Sequence, residues 1–285
     1  MYQTDPPRPP KETLPTMYDL KSEDPEEPGL PDEFHDLQPE LLRRTFQPTN
    51  YSPDEIFLGS DLNLYYDVRH TQWYKRPDWF AVLGVSRLYE QRDLRLSYVI
   101  WQEGVNPFIV VELLSPGTEQ EDLGQTLREV NQPPTKWQVY EQILRIPYYI
   151  VFNRYTDQLQ IFGLITNHYQ PLTLEEGRLW IEEIQLGIGL WFGNYQGFER
   201  IWLRWYDSQG NWVLTPEEEE YQRAESERQR AESERQRAET ERQRAETEHQ
   251  RAEEISRQLE QERQRAANMA EYLRSLGIDP NNLPQ

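Results

Sequence analysis

Between residues 79 and 165 the apolar positions gather into short runs separated by turn residues. The stretches "RPDWFAVLGV", "LSYVIW", "FIVVELLS", "YYIVFN" and "QLQIFGLI" each have the length and β-branched or aromatic content of a strand. In the third, Ile109, Val110, Val111, Leu113 and Leu114 form a nearly unbroken apolar series, as in a strand covered on both faces. Glu112 interrupts it. The period changes in "PTKWQVYEQILRI", where Trp137, Tyr140, Ile143 and Leu144 recur on one helical face and Thr135 stands in position to cap the first turn. A buried strand, a helix and another apolar strand predict a βαβ crossover. Further on, "IWLRWYDSQGNWVL" predicts a hairpin turning at residues 208–211.

The pattern fades at both ends. Residues 1–33 are dense in proline and acids ("DPPRPPKETLPT", "SEDPEEPGLPDE") and are expected to be disordered, because they offer little apolar surface to offset the entropy of ordering. Phe34, Leu37, Leu41 and Leu42 in "EFHDLQPELLRRTF" predict one or two helical turns packed on the domain that follows. Residues 34–216 make one α/β domain. After it come the heptads "AESERQR" (twice), "AETERQR" and "AETEHQR". Arg228 lies between Glu225 and Glu232, and Arg235 between Glu232 and Glu239, pairs that contribute about 0.2–0.5 kcal/mol each to an isolated helix. Residues 217–276 are therefore expected to form a charged helix without a core, and residues 277–285 a flexible end. Ile255, Leu259, Ala266, Met269, Leu273 and Leu276 follow 3-4 spacing, so this helix, or the domain itself, is a candidate surface for homo-oligomerisation through a coiled coil.

Composition narrows the chemistry. The 285 residues contain no cysteine, which removes disulfides and thiolate metal sites and fits a cytoplasmic setting. No apolar run of about 18 residues predicts a membrane span, and no secretory signal is evident. A net charge of -20 excludes a protein that coats nucleic acid by bulk charge. Residues 51–216 alone hold 21 acids against 13 lysines and arginines, so contact with DNA would need a local basic strip such as Lys75, Arg76, Arg87 and Arg95. The four histidines are scattered, and neither a G-x-S-x-G elbow nor a glycine-rich phosphate loop is present.

Glu112 is the informative residue. A buried ionised carboxylate costs several kcal/mol unless something positive meets it. An arginine or a tryptophan N–H in the core is one candidate partner. A divalent cation shared with Asp78, which follows Pro77 at the entrance to the strand before, is the other. Mg²⁺ typically takes one or two carboxylates, water and substrate phosphate oxygens.

Pro77-Asp78 followed by Glu112 resembles the PD-(D/E)xK nucleases, although Leu114 stands where their strand lysine belongs. "VVELLSPGT", an acid soon after it (Asp122) and a helix with lysine and tyrosine four apart ("KWQVY", Lys136 and Tyr140) resemble the Uma family within that group; the likeness extends to "RIPYYIVF". The resemblance implies a restriction-endonuclease-like fold, a mixed sheet flanked by helices. It implies a metal site of Asp78, Glu112 and Leu113 holding Mg²⁺ or Mn²⁺, with Asp78, Glu112 and a lysine moved from strand to helix, Lys136, as the catalytic set. The implied reaction is phosphodiester hydrolysis in DNA. The intervening "EDLGQTLREVNQPP" is longer than in short members and could displace Lys136; Lys75 and Arg76 are the alternative sources of charge, and Gln138 shares the helix. The rival reading is an inactive nuclease-fold scaffold that assembles partners through the helical tail.

Overall fold

The structure, a computed structural model, describes residues 32–115, 119–125 and 132–277. Apart from residues 32, 33 and 277, the segments expected to be disordered or flexible lie outside that range, as do residues 116–118 of the turn after the Glu112 strand. The chain divides into two units, the first ending at Pro216 and the second beginning at Glu217.

The first unit is organised by a six-stranded mixed sheet in the order β1-β4-β6-β7-β8-β9. These strands are β1 (Ile56–Gly59), β4 (Trp79–Leu83), β6 (Ile109–Leu114), β7 (Tyr148–Asn153), β8 (Gln158–Ile165) and β9 (His168–Pro171). Strands β6 and β7 run parallel, joined by the predicted crossover, and all other neighbours are antiparallel. Every residue of β4 and β6 is buried, because both sheet faces are covered. Trp79, Ala81, Ile109, Val111 and Leu113 join one core, while Phe80, Val82, Val110 and Leu114 join a second that contains Val139, Tyr140 and Leu144. Two three-stranded sheets complete the unit. One comprises β10 (Arg178–Ile181), β11 (Leu186–Tyr195) and β12 (Phe198–Tyr206). The other, smaller, comprises β2 (Leu64–Tyr65), β3 (Tyr74–Lys75) and β5 (Tyr98–Val99).

Four local differences from the sequence expectation have physical causes. Helix α1 (Phe34–Thr45) is longer than one or two turns, since Phe34, Leu41 and Leu42 are buried and the Gln38 amide completes two bonds with the Leu203 main chain, at 2.8 and 2.9 Å. "LSYVIW" supplies only the two residues of β5, after which a helical turn, α2 (Ile100–Glu103), ends at Gly104 with φ +74. Strand β11 escapes a hydrophobicity reading because glycines occupy its inner positions; a Cβ on Gly187 would lie 1.9 Å from the Tyr206 ring, so the ring takes the place of a side chain. The hairpin turn is present, with Asp207 Oδ1 accepting from the Gln209 and Asn211 amides, but the returning limb is held by the bridge Tyr206 to Trp212, by the Val213 amide donating to the Trp205 carbonyl at 3.0 Å and by Arg204 donating to the Val213 carbonyl, rather than as a further strand.

The second unit is dominated by α5 (Pro216–Ser275), a 60-residue helix with no buried residue. Its apolar positions Ile255, Leu259 and Met269 are exposed, as is Leu276 just beyond its end. Among the described residues no helix is long and apolar enough to cross a membrane.

Candidate functional site

Strand pairing brings the two acids together. Trp79 faces Val111 and Phe80 faces Val110, so one further step of the same register sets Asp78 opposite Glu112. Alternation puts both on the face shared by Phe80 and Val110, and directly opposite residues have Cβ atoms about 4.5–5.5 Å apart. As β4 begins, the Asp78 carboxylate replaces a main-chain partner: its Oδ2 accepts the Leu113 amide at 2.6 Å.

The crossover helix closes over this pair. Thr135 accepts from the Gln138 amide while the Gln138 side chain accepts from the Thr135 amide, the reciprocal cap that starts α4 (Lys136–Gln138). Gln138 is thereby committed to the cap. The helix widens into a π turn over Val139–Ile143, which carries Ile143 out to solvent while Tyr140 and Leu144 stay buried. Such turns often mark functional positions.

Lys136 Nζ lies 2.9 Å from Glu112 Oε2 and 2.9 Å from Asp122 Oδ1. Tyr140 donates its hydroxyl hydrogen to Glu112 Oε1 at 2.8 Å. Asp122 arrives on a one-turn helix, α3 (Glu119–Asp122), whose last carbonyl accepts from the Tyr149 hydroxyl at 2.9 Å. The long connection therefore does not pull Lys136 away, although its residues 126–131 lie outside those described. Among the described residues Glu112 meets neither an arginine nor an indole. The alternative cation Arg76 pairs instead with Asp61 at 2.7 Å.

Electrostatically the cluster is overloaded with acid. Glu112 is fully buried and Asp122 is 1 % exposed. Burial pushes the Glu112 carboxyl well above its ordinary range; Lys136 opposes this, and Asp122 and Asp78 add to it. Burial likewise raises Asp78, against Lys136 and His35. Burial alone would lower Lys136, but Asp122, Glu112 and Asp78 together hold its ammonium well above the usual lysine value.

His35 carries no spacing signal in the sequence, yet it reaches the same strand. Its Nδ1 is 2.9 Å from Asp32 Oδ1 and its Nε2 is 3.0 Å from the Leu113 carbonyl oxygen. Both partners are acceptors, so both ring nitrogens donate and the imidazole is cationic. Desolvation opposes that charge, but Asp32 and Asp78 outweigh it and raise the pKa. His35 thus fixes the main chain beside Glu112 and leaves the Leu113 oxygen its second lone pair.

The donor set suits a hard cation. All of its free valences are oxygen, and Asp122 Oδ2 is buried with no hydrogen-bond partner among the described residues. Among those residues no three His, Asp or Glu side chains already surround one point; the Lys136 ammonium sits between two of the acids. Two carboxylates with water suffice for Mg²⁺, so the residues fit.

No curated protein matches the chain. Residues 12–196 match the family Uma2, described as "Putative restriction endonuclease". That span includes both acids, the crossover lysine and the whole central sheet, and the chain belongs to the Uma2 family, with a restriction-endonuclease-like α/β fold.

Proposed function

We propose that this protein is a metal-dependent endonuclease that hydrolyses phosphodiester bonds in DNA. The observation that supports this best is the Lys136 ammonium, 2.9 Å from both Glu112 and Asp122. It restores from the helix the cation that Leu114 denies to the strand. Asp78 and Glu112 would hold Mg²⁺ or Mn²⁺, with the Leu113 carbonyl oxygen as a further ligand. Bound there, the ion would polarise a phosphoryl oxygen and lower the pKa of a water molecule.

The remaining roles belong to the chain itself. Lys136 stabilises negative charge that builds on the phosphate, from a position fixed before substrate arrives. Tyr140 holds Glu112 by one oxygen and so orients the other. The apolar walls around β4 and β6 exclude bulk water, which strengthens each of these interactions. With supercoiled plasmid, nicking is expected in Mg²⁺ or Mn²⁺ and is expected to stop on chelation. Equal nicking in excess chelator, or none in either metal, would refute the reading.

A further inference from the structure

We propose that α5 pairs with the same helix of a second copy of this chain, as a two-stranded coiled coil whose apolar seam runs over residues 252–276. None of the 60 residues of α5 is buried. Ile255, Leu259 and Met269 within it, and Leu276 just beyond it, are large apolar side chains left facing water. They are not scattered. From Ala252 and Ile255 the 3-4 alternation continues through Leu259, Glu262, Ala266, Met269, Leu273 and Leu276, more than three heptads in one register. Two positions in seven make a stripe too narrow for packing on a globular core, and it has the width of a coiled-coil seam.

Charge identifies the occupant. Glu262 is the one charged residue on that seam, and arginines border it on either side, Arg263 and Arg265. In a parallel pair Glu262 meets the second copy's Arg263, and in an antiparallel pair aligned on the same stretch it meets the second copy's Arg265. The seam therefore supplies its own countercharge when it faces itself. The same order, Glu-Arg-Gln-Arg, recurs at the same seam position from Glu227, Glu234 and Glu241. An anionic lipid surface suits the helix poorly, because residues 252–276 hold five acids against four bases.

Glu262 also sets the number of helices. A two-stranded seam leaves its edge open to water, where a carboxylate stays solvated; a third helix would enclose it among its own copies. One polar seam position fixes register at some cost in stability. On the nuclease reading, each pair carries two Asp78–Glu112 clusters in one particle, the number that the two strands of a duplex require. The pairing itself does not depend on that reading.

The test is the mass of the full-length chain in solution, by light scattering after gel filtration, which reads mass independently of shape. The wild type is expected at twice the 34.3 kDa of one chain. Leu259→Lys with Leu273→Lys, which keeps good helix formers, is expected to weaken pairing at least about a hundredfold and to give the single-chain mass at about 10 µM. Gln250→Lys with Gln264→Lys adds the same charge on the opposite face of the helix and is expected to leave the mass doubled. Glu262→Leu is expected to tighten pairing about tenfold, read as resistance to dissociation on dilution. A wild type of single-chain mass at about 100 µM would overturn the proposal. So would a mass of three or more copies, pairing unchanged by the first two lysines, or equal weakening by the second two.

Discussion

Glu112→Gln is expected to reduce metal-dependent nicking about a thousandfold while leaving the metal-free protein within about 1 kcal/mol of wild-type stability. The first half follows from charge. A metal at two carboxylates contributes several kcal/mol to the transition state, and about 4 kcal/mol corresponds to a factor of a thousand. The second half follows from the excess of acid. Three carboxylates share one ammonium, and Glu112, the most deeply buried, is the least solvated of them. Glutamine keeps the shape. Its oxygen can accept from Lys136 and its amide hydrogens can meet the Tyr140 oxygen, while Lys136 keeps Asp122. Were Glu112 only the structural partner of Lys136, breaking a buried pair would cost about 3–5 kcal/mol instead.

The same substitution has a pH signature. Burial raises the Glu112 pKa above its ordinary 4.5, so the native state binds this proton more tightly than the unfolded chain. The associated stability is fully present below 4.5 and declines as the pH climbs toward the folded value. The glutamine variant lacks that decline. Thermal denaturation across pH, alongside plasmid nicking, measures both effects; undiminished nicking would end the catalytic assignment of Glu112.

Lys136→Met is the complementary experiment and carries the larger stability effect. Methionine fills much of the same volume but leaves Glu112 and Asp122 without a cation in a buried site, while Asp78 keeps His35. Removing one partner of such a group costs about 3–5 kcal/mol, or roughly 6–20 °C in melting temperature for a domain of this size. Nicking should be lost as well. Millimolar Mg²⁺ is expected to recover part of the stability, because a ligand that binds only the folded state stabilises it. A lysine that was merely solvated at a helix start would cost less than about 0.5 kcal/mol. Melting curves with and without Mg²⁺ separate the two.

Much of this site is legible in the sequence because it violates local pattern. A carboxylate inside "FIVVELLS" contradicts the burial its neighbours demand, and that conflict alone singles out Glu112. Lys136 and Tyr140 are readable as neighbours on one helix, four residues apart, and Thr135 as the cap. What joins them to Glu112 is a packing of helix on sheet 24 and 28 residues away, which no local period encodes. His35 is invisible for the same reason: its partner on β6 is 78 residues distant, and a lone histidine has no characteristic neighbours. The π turn that exposes Ile143 escapes notice because its first residues follow the ordinary helical period. Strand β11 is hidden because Gly187 makes room for a ring that comes from β12. The arginines show the opposite failure: charge is visible, but only pairing decides that Arg76, with Asp61, and Arg95, with Glu103, serve the fold.

On the proposed function, Asp78 and Glu112 form a divalent-cation site on adjoining strands. Its most direct measurement is Mn²⁺ binding to the full-length chain, read from the electron paramagnetic resonance signal of free Mn²⁺. The wild type is expected to take up Mn²⁺ at a site whose affinity falls at least about tenfold in both Asp78→Asn and Glu112→Gln, the loss of roughly 1.4 kcal/mol of binding energy. Equal uptake by the wild type and both variants would contradict the account.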